Sequence, residues 1–202
     1  FYTTLERLPL LDYILNQFTK KPLAKLDAPV RAVLRAGLAQ ARYMNVPLPA
    51  AVNESVKLTR ALGKSSAAGM VNAVLRRAAG AAVSESDFPD PLERLSVYYC
   101  LSRPVAELLY AQFGAEAFPL AAAFYCKPKT TIRVNTLRTD DASLTALLQA
   151  EGHTVSTGPW PGALIVDFAG SPAASAAFQK GLFHVQGLAS QFAALCVDAR
   201  PG

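Results

Sequence analysis

The feature that most constrains this chain is a change of hydrophobic period near residue 130. Before it, apolar residues recur at three- and four-residue spacing. After it, "TTIRVNT" alternates. Side chains recur on one face every 3.6 residues in a helix and every second residue in a strand. A helical block must therefore precede a mixed one, and 202 residues leave room for one large or two small domains.

Within the helical block, Phe1 to Phe18 carries Leu5, Leu8, Leu11, Ile14, Leu15 and Phe18, with Pro9 near a helix start or kink. Asp27 reads as an N-cap and Pro29 suits a first turn. The second helix presents Val30, Val33, Leu34, Gly37, Leu38 and Ala41, and the third Val52, Ser55, Val56, Thr59 and Leu62. The fourth presents Met70, Val71, Val74, Leu75 and Ala78. Short amphipathic helices with short connections predict a bundle over residues 1–82. "GAAVSESDFPDPLERL" predicts a linker at 83–92. Two helical segments then lead into an alternating strand, the helix "DDASLTALLQAEG", two strands, a short helix and "LFHVQ". That order is a split βαβ unit, so residues 93–202 are expected to hold a helical lead-in and a small α+β domain of RNA-recognition or ferredoxin-like type.

Charge is divided unequally. Residues 1–80 hold twelve Lys or Arg against four Asp or Glu, while the whole chain carries only +5. A basic block of this kind points to a polyanion. Arg31, Arg35 and Arg42 fall within about 40° of one another on a helix. Lys57, Arg60 and Lys64 form a similar row, and Asn72 and Arg76 share a line with Arg77 alongside. Because matching acids are few, these side chains are the expected grip on a nucleic-acid backbone. In the second block Arg133 and Asn135 share one strand face, with Arg138 just beyond, and that strand lacks stacking aromatics.

Other chemistry is weakly represented. Cys100, Cys126 and Cys196 are scattered, away from His153 and His184, so each is expected as a packed apolar residue and no metal site is expected. No two of the twelve glycines stand two apart, so no Gly-x-Gly nest for a nucleotide-like cofactor is present. Asp140 and Asp141 suit a helix start better than an acid–base pair. Charges interrupt every apolar run, which predicts a cytoplasmic protein without a membrane partner.

Val30 to Arg77 resembles a NusB-type domain, an all-helical bundle that binds ribosomal RNA sequences. The resemblance lies in an Arg-bearing helix, "VPLPAAVNESV", and "GMVNAVLRR" after a short loop. Further on, "PLERLSVYYCLSRPVAELLYAQFG", "TIRVNTLRT" and "FHVQGLASQ" resemble the lead-in of Sun-type bacterial ribosomal RNA cytosine-C5 methyltransferases. The resemblance implies an N-terminal, non-catalytic part of such an enzyme, binding small-subunit ribosomal RNA. The methyltransferase core, acting in cis, would supply the S-adenosylmethionine site and the catalytic cysteines. No catalytic or cofactor-binding residue is expected within these residues. Where the family has an acid after "VQ", this chain has Gly187, with Gln186 and Ser190 left to hold that junction. The competing reading is a NusB-like RNA- or protein-binding adaptor, in antitermination or ribosome assembly, with no catalytic core.

Overall fold

A computed structural model describes residues 1–126 and 128–197. The chain divides into two compact units, Phe1–Cys126 and Lys127–Gly202.

The first unit is helical. The expected opening helix is broken at Arg7 into α1 (Tyr2–Glu6) and α2 (Leu8–Phe18), with Pro9 in the first turn of α2, where no hydrogen-bond donor is required. α3 (Ala28–Tyr43), α4 (Leu48–Ala61) and α5 (Ala68–Ala79) complete the bundle. Leu11, Ile14, Leu15, Leu34, Leu38, Val52 and Val71 are wholly buried in its core. The anticipated stripes are those that face inward, except that Leu5 and Leu62 are exposed. Asp27 stands at the N-cap position of α3 but makes no side-chain cap bond. Its carboxylate goes to Lys64 Nζ at 2.6 Å instead. Gly37 lets helices approach: a Cβ there would collide with Ser55 Oγ and stand 2.8 Å from Leu75 Cδ1.

Residues 83–92 are not a free linker. Ser84 and Asp87 close a capping box around a short turn, and Phe88 is fully buried in the bundle core, its ring 4.7 Å from that of Tyr13. The helical lead-in therefore belongs to the first unit. It comprises α6 (Pro91–Glu93), a π-helical turn (Arg94–Tyr98), α7 (Arg103–Phe113) and α8 (Ala117–Ala123). These pack around Leu95, Tyr99, Ala106, Ala117 and Ala121.

The second unit has β1 (Thr130–Val134), α9 (Asp141–Ala150), β2 (Thr154–Thr157), β3 (Ala163–Asp167), α10 (Ala176–Gln179), β4 (Phe183–Val185) and α11 (Leu188–Val197). The sheet order is β2-β3-β1-β4, antiparallel throughout. Ile132 pairs with Leu164 and Val185, and Val134 with Phe183. Ile132, Val134, Leu164 and Phe183 form a core with Leu144 and Leu148 of α9. Directly opposed residues share a face, so Arg133 lies on the other side between Ala163 and His184. Asp140 caps α9 through Ser143 N at 2.8 Å, and Asp141 accepts from Gly162 N at 2.9 Å. The expected all-α bundle followed by a ferredoxin-like α+β domain is the fold observed.

Candidate nucleic-acid interface

The eight Lys and Arg side chains expected to grip RNA in the bundle fall into three groups. Two residues, Arg35 and Arg42, are committed to the fold. Arg35 of α3 forks onto Asp12 of α2, with Nε–Oδ1 at 2.7 Å and Nη2–Oδ2 at 2.5 Å. Arg42 donates to the carbonyls of Ala78, Ala79 and Ala81, at 3.3, 3.3 and 2.8 Å, and so closes the C-terminal end of α5. Three more have local partners: Arg31 donates to Ala24 O at 3.1 Å, Lys57 pairs with Glu54 and Lys64 with Asp27. The Lys64 ammonium holds the Asp27 carboxyl below its ordinary value. The expectation that matching acids would be lacking is therefore corrected at Arg35, Lys57 and Lys64.

Arg60, Arg76 and Arg77 are exposed and have no carboxylate partner among the described residues. Arg76 Nε donates to Asn72 Oδ1 at 3.0 Å, which ties the predicted pair together along α5. The Arg77 guanidinium lies 5.2 Å from the centroid of the Phe18 ring. Here the fold assembles something that spacing did not show. Phe18 at the end of α2, the following Thr19–Leu26 segment and the Met70–Arg77 part of α5 enclose a groove of about 500 Å³. Lys20, Lys21 and Arg77, all exposed, are among its lining residues, and none of these is acidic. Lys20 and Lys21 are absent from the predicted rows; their doublet is a basic signal in the sequence, but it sits far along the chain from Arg77.

In the second unit Arg133 is exposed on the outer sheet face. Asn135 is occupied by its own turn: Nδ2 donates to Gly181 O at 2.8 Å, and Oδ1 accepts from Leu137 N at 3.3 Å. Arg138 donates to Lys180 O at 2.8 Å. Arg133, Asn135, Leu137, Trp160, His184 and Gln191 border a hollow of about 550 Å³. Trp160, in the β2–β3 connection, supplies the aromatic surface that β1 lacks, and its Nε1 donates to Gln191 Oε1 at 3.3 Å. Gln191 Nε2 in turn donates to Gln186 O at 2.9 Å. Gln191, which is buried, rather than the exposed Ser190, thus fixes α11 to the sheet. The remaining surface of α11 is apolar and open, with Phe192 56%, Leu195 53% and Val197 74% exposed.

The cysteines differ from expectation. Cys100 is half-buried, and burial pushes its thiol above the ordinary value. Cys126 and Cys196 are exposed rather than packed. Among the described residues no helix is long and apolar enough to cross a membrane.

Residues 1–80 match the NusB family, and residues 105–171 match the Methyltr_RsmF/B-like, ferredoxin-like domain. The chain is 30% identical over 202 residues to the probable ribosomal RNA small subunit methyltransferase B of Bacillus subtilis (strain 168), covering 98% of this chain and 45% of that protein. It is 32% identical over 204 residues to ribosomal RNA small subunit methyltransferase B of Xylella fastidiosa (strain 9a5c), covering 99% and 46%. The corresponding Xanthomonas campestris protein is 33% identical over 158 residues, 78% of this chain and 34% of its own length. The chain thus spans less than half the length of these relatives. The crystal structure of PH0851 matches with a TM-score of 0.64 at 20% identity, covering 100% of this chain and 46% of that one, which is a likeness of fold.

Proposed function

The chain carries a NusB-family domain and the ferredoxin-like domain of the ribosomal RNA small subunit methyltransferase B group, and from this premise we propose that it is the RNA-recognition part of such an enzyme. The parent protein methylates C5 of a cytosine in small-subunit ribosomal RNA, with S-adenosylmethionine as donor, in the cytoplasm. No pair of glycines two apart offers a backbone nest, so binding and transfer are assigned to a catalytic core in cis. The open apolar surface of α11, at Phe192, Leu195 and Val197, is where that core attaches.

The observation that carries the reading is the set of carboxylate-free guanidinium groups, Arg60, Arg76 and Arg77, in a block with twelve basic and four acidic residues. Fixed positive charge without internal counter-ions is neutralised by phosphate, and release of condensed cations drives the binding. Arg133 extends the same chemistry to the outer sheet face of the second domain. The test is fluorescence anisotropy of this chain with small-subunit ribosomal RNA segments over a salt series. The triple change Arg60→Ala, Arg76→Ala, Arg77→Ala weakens binding and flattens the salt slope by about 0.7–0.9 for each phosphate no longer neutralised. An unchanged slope refutes the assignment.

A further inference from the structure

We infer that the groove between Phe18, the segment after it and α5 is a seat for one unstacked base of single-stranded RNA, with the flanking phosphates on its rim. The inference rests on the RNA reading above and adds to it a place and a strand state.

Three observations carry it. The first is composition by position. Of the lining residues, apolar Phe18, Leu26 and Met70 are half-buried, while charged Lys20, Lys21 and Arg77 are exposed to solvent. A nucleotide has the same division, a flat, weakly hydrated base joined to a charged phosphate. The second is the cation–π contact between the Arg77 guanidinium and the Phe18 ring, with Cζ 5.2 Å from the ring centroid. Guanidinium planes and aromatic rings are the two surfaces on which splayed bases are held, and every base presents a π-face to them. The third is electrostatic. The lining holds no carboxylate, and Lys20, Lys21 and Arg77 have no acidic partner among the described residues. The cavity, about 500 Å³, lies within the range of about 300–1,000 Å³ usual for small-ligand sites.

These features select against other polyanions. In a duplex both faces of every base are covered, so a duplex meets the rim charges and gains nothing from the interior. An acidic peptide satisfies the lysines but, built of carboxylates, presents no aromatic π-face to the Arg77–Phe18 pair. A single strand satisfies both.

The experiment measures anisotropy of the chain with a short single-stranded RNA and with a duplex of equal length. A 2-aminopurine at the centre of the single strand reports stacking. Ala73→Trp fills the groove from an exposed position of α5 without changing charge, and its folding is checked by circular dichroism and melting. The expected result is a loss of about fivefold or more in single-strand affinity, with duplex affinity retained and the 2-aminopurine response abolished. If Ala73→Trp fails to fold, Lys20→Ala with Lys21→Ala, both exposed, serves in its place. It weakens the single strand and the duplex alike, while the 2-aminopurine response persists at saturation. Single-strand affinity and 2-aminopurine response unaffected by the groove changes overturn the seat while leaving the RNA reading standing. Binding of a glutamate-rich peptide that is lost in Ala73→Trp, without effect on RNA, replaces the inference with a protein partner. Failure of the chain to bind either RNA form removes the RNA reading and the seat together.

Discussion

Arg35 on α3 and Asp12 on α2 are 23 positions apart, and their planar groups meet edge to edge through two parallel charged hydrogen bonds. The side chains keep only 25% and 30% exposure. Such a fork fixes the rotation of one helix against the other, which a single lysine contact would not do. Arg35 is therefore a fold residue that resembles a binding residue. Arg35→Ala is expected to cost about 1–3 kcal/mol, because it leaves Asp12 half-buried and unpaired. The same change leaves the salt slope of RNA binding unaltered. Arg76→Ala behaves in the opposite way, shifting the slope and leaving the melting temperature within error. Chemical denaturation paired with the salt series separates the two, and equal effects of both changes on the slope would refute the division.

Gly37 faces a contest between two local effects. Alanine is favoured over glycine inside a helix by about 1 kcal/mol. Against this, the added Cβ collides with the buried Ser55 Oγ and stands 2.8 Å from Leu75 Cδ1. Overpacking a closed helix contact costs about 1–3 kcal/mol, so the clash wins. Gly37→Ala lowers the denaturation midpoint. Adding Ser55→Ala recovers part of the stability but not all, since Leu75 remains in the way. Full recovery in the double variant would show Leu75 to be free to move.

Phe88 tests the boundary between the bundle and the helices that come after it. A linker residue could be truncated without consequence, whereas Phe88 is wholly buried and its ring lies 4.7 Å from that of Tyr13. Phe88→Ala is expected to cost about 3–5 kcal/mol through a cavity in the bundle core. Limited proteolysis gives the second readout. The wild-type chain resists cleavage across residues 83–92, and Phe88→Ala becomes susceptible there. Cleavage of the wild type at that segment would restore the linker.

How far the sequence could be read depended on the range of the interaction. The stripes of α3 and α5 were legible because Val33, Leu34, Leu38, Val71, Val74 and Leu75 repeat at a period any window reveals. The sheet was legible because the alternation in β1 and the chain order leave few topologies. The features that escaped depend on partners brought together by packing. Arg42 has no local sign that it closes α5, since Ala78, Ala79 and Ala81 reach it only through the docking of α3 on α5. Asp27 has the identity and position of a cap, yet Lys64 outcompetes the amide groups for its carboxylate. Phe88 lies in a stretch whose prolines and serines outweigh one phenylalanine in any composition average. The Lys20–Lys21–Arg77 rim joins residues that only the meeting of α2 and α5 makes neighbours.

Asp140 gives the pH dependence of the second unit. Its Oδ1 accepts from Ser143 N and its Oδ2 from Ser143 Oγ, both at 2.8 Å. These hydrogen bonds favour the ionised form and hold the carboxyl below its ordinary value of 3.8, with the backbone bond as the largest cause. A carboxyl depressed by folding adds stability above its unfolded value, and that stability fades as pH falls through the folded value. Asp140→Ala therefore lowers the melting temperature at neutral pH, and the gap to wild type closes as pH falls below 3.8. Asp140→Asn keeps an acceptor for Ser143 N, so it retains most of the cap while losing this acid dependence. Thermal melts of the three proteins from neutral pH into the acid range measure both. A gap between wild type and Asp140→Ala that stays constant across the range would mean that the carboxylate charge contributes nothing to the start of α9.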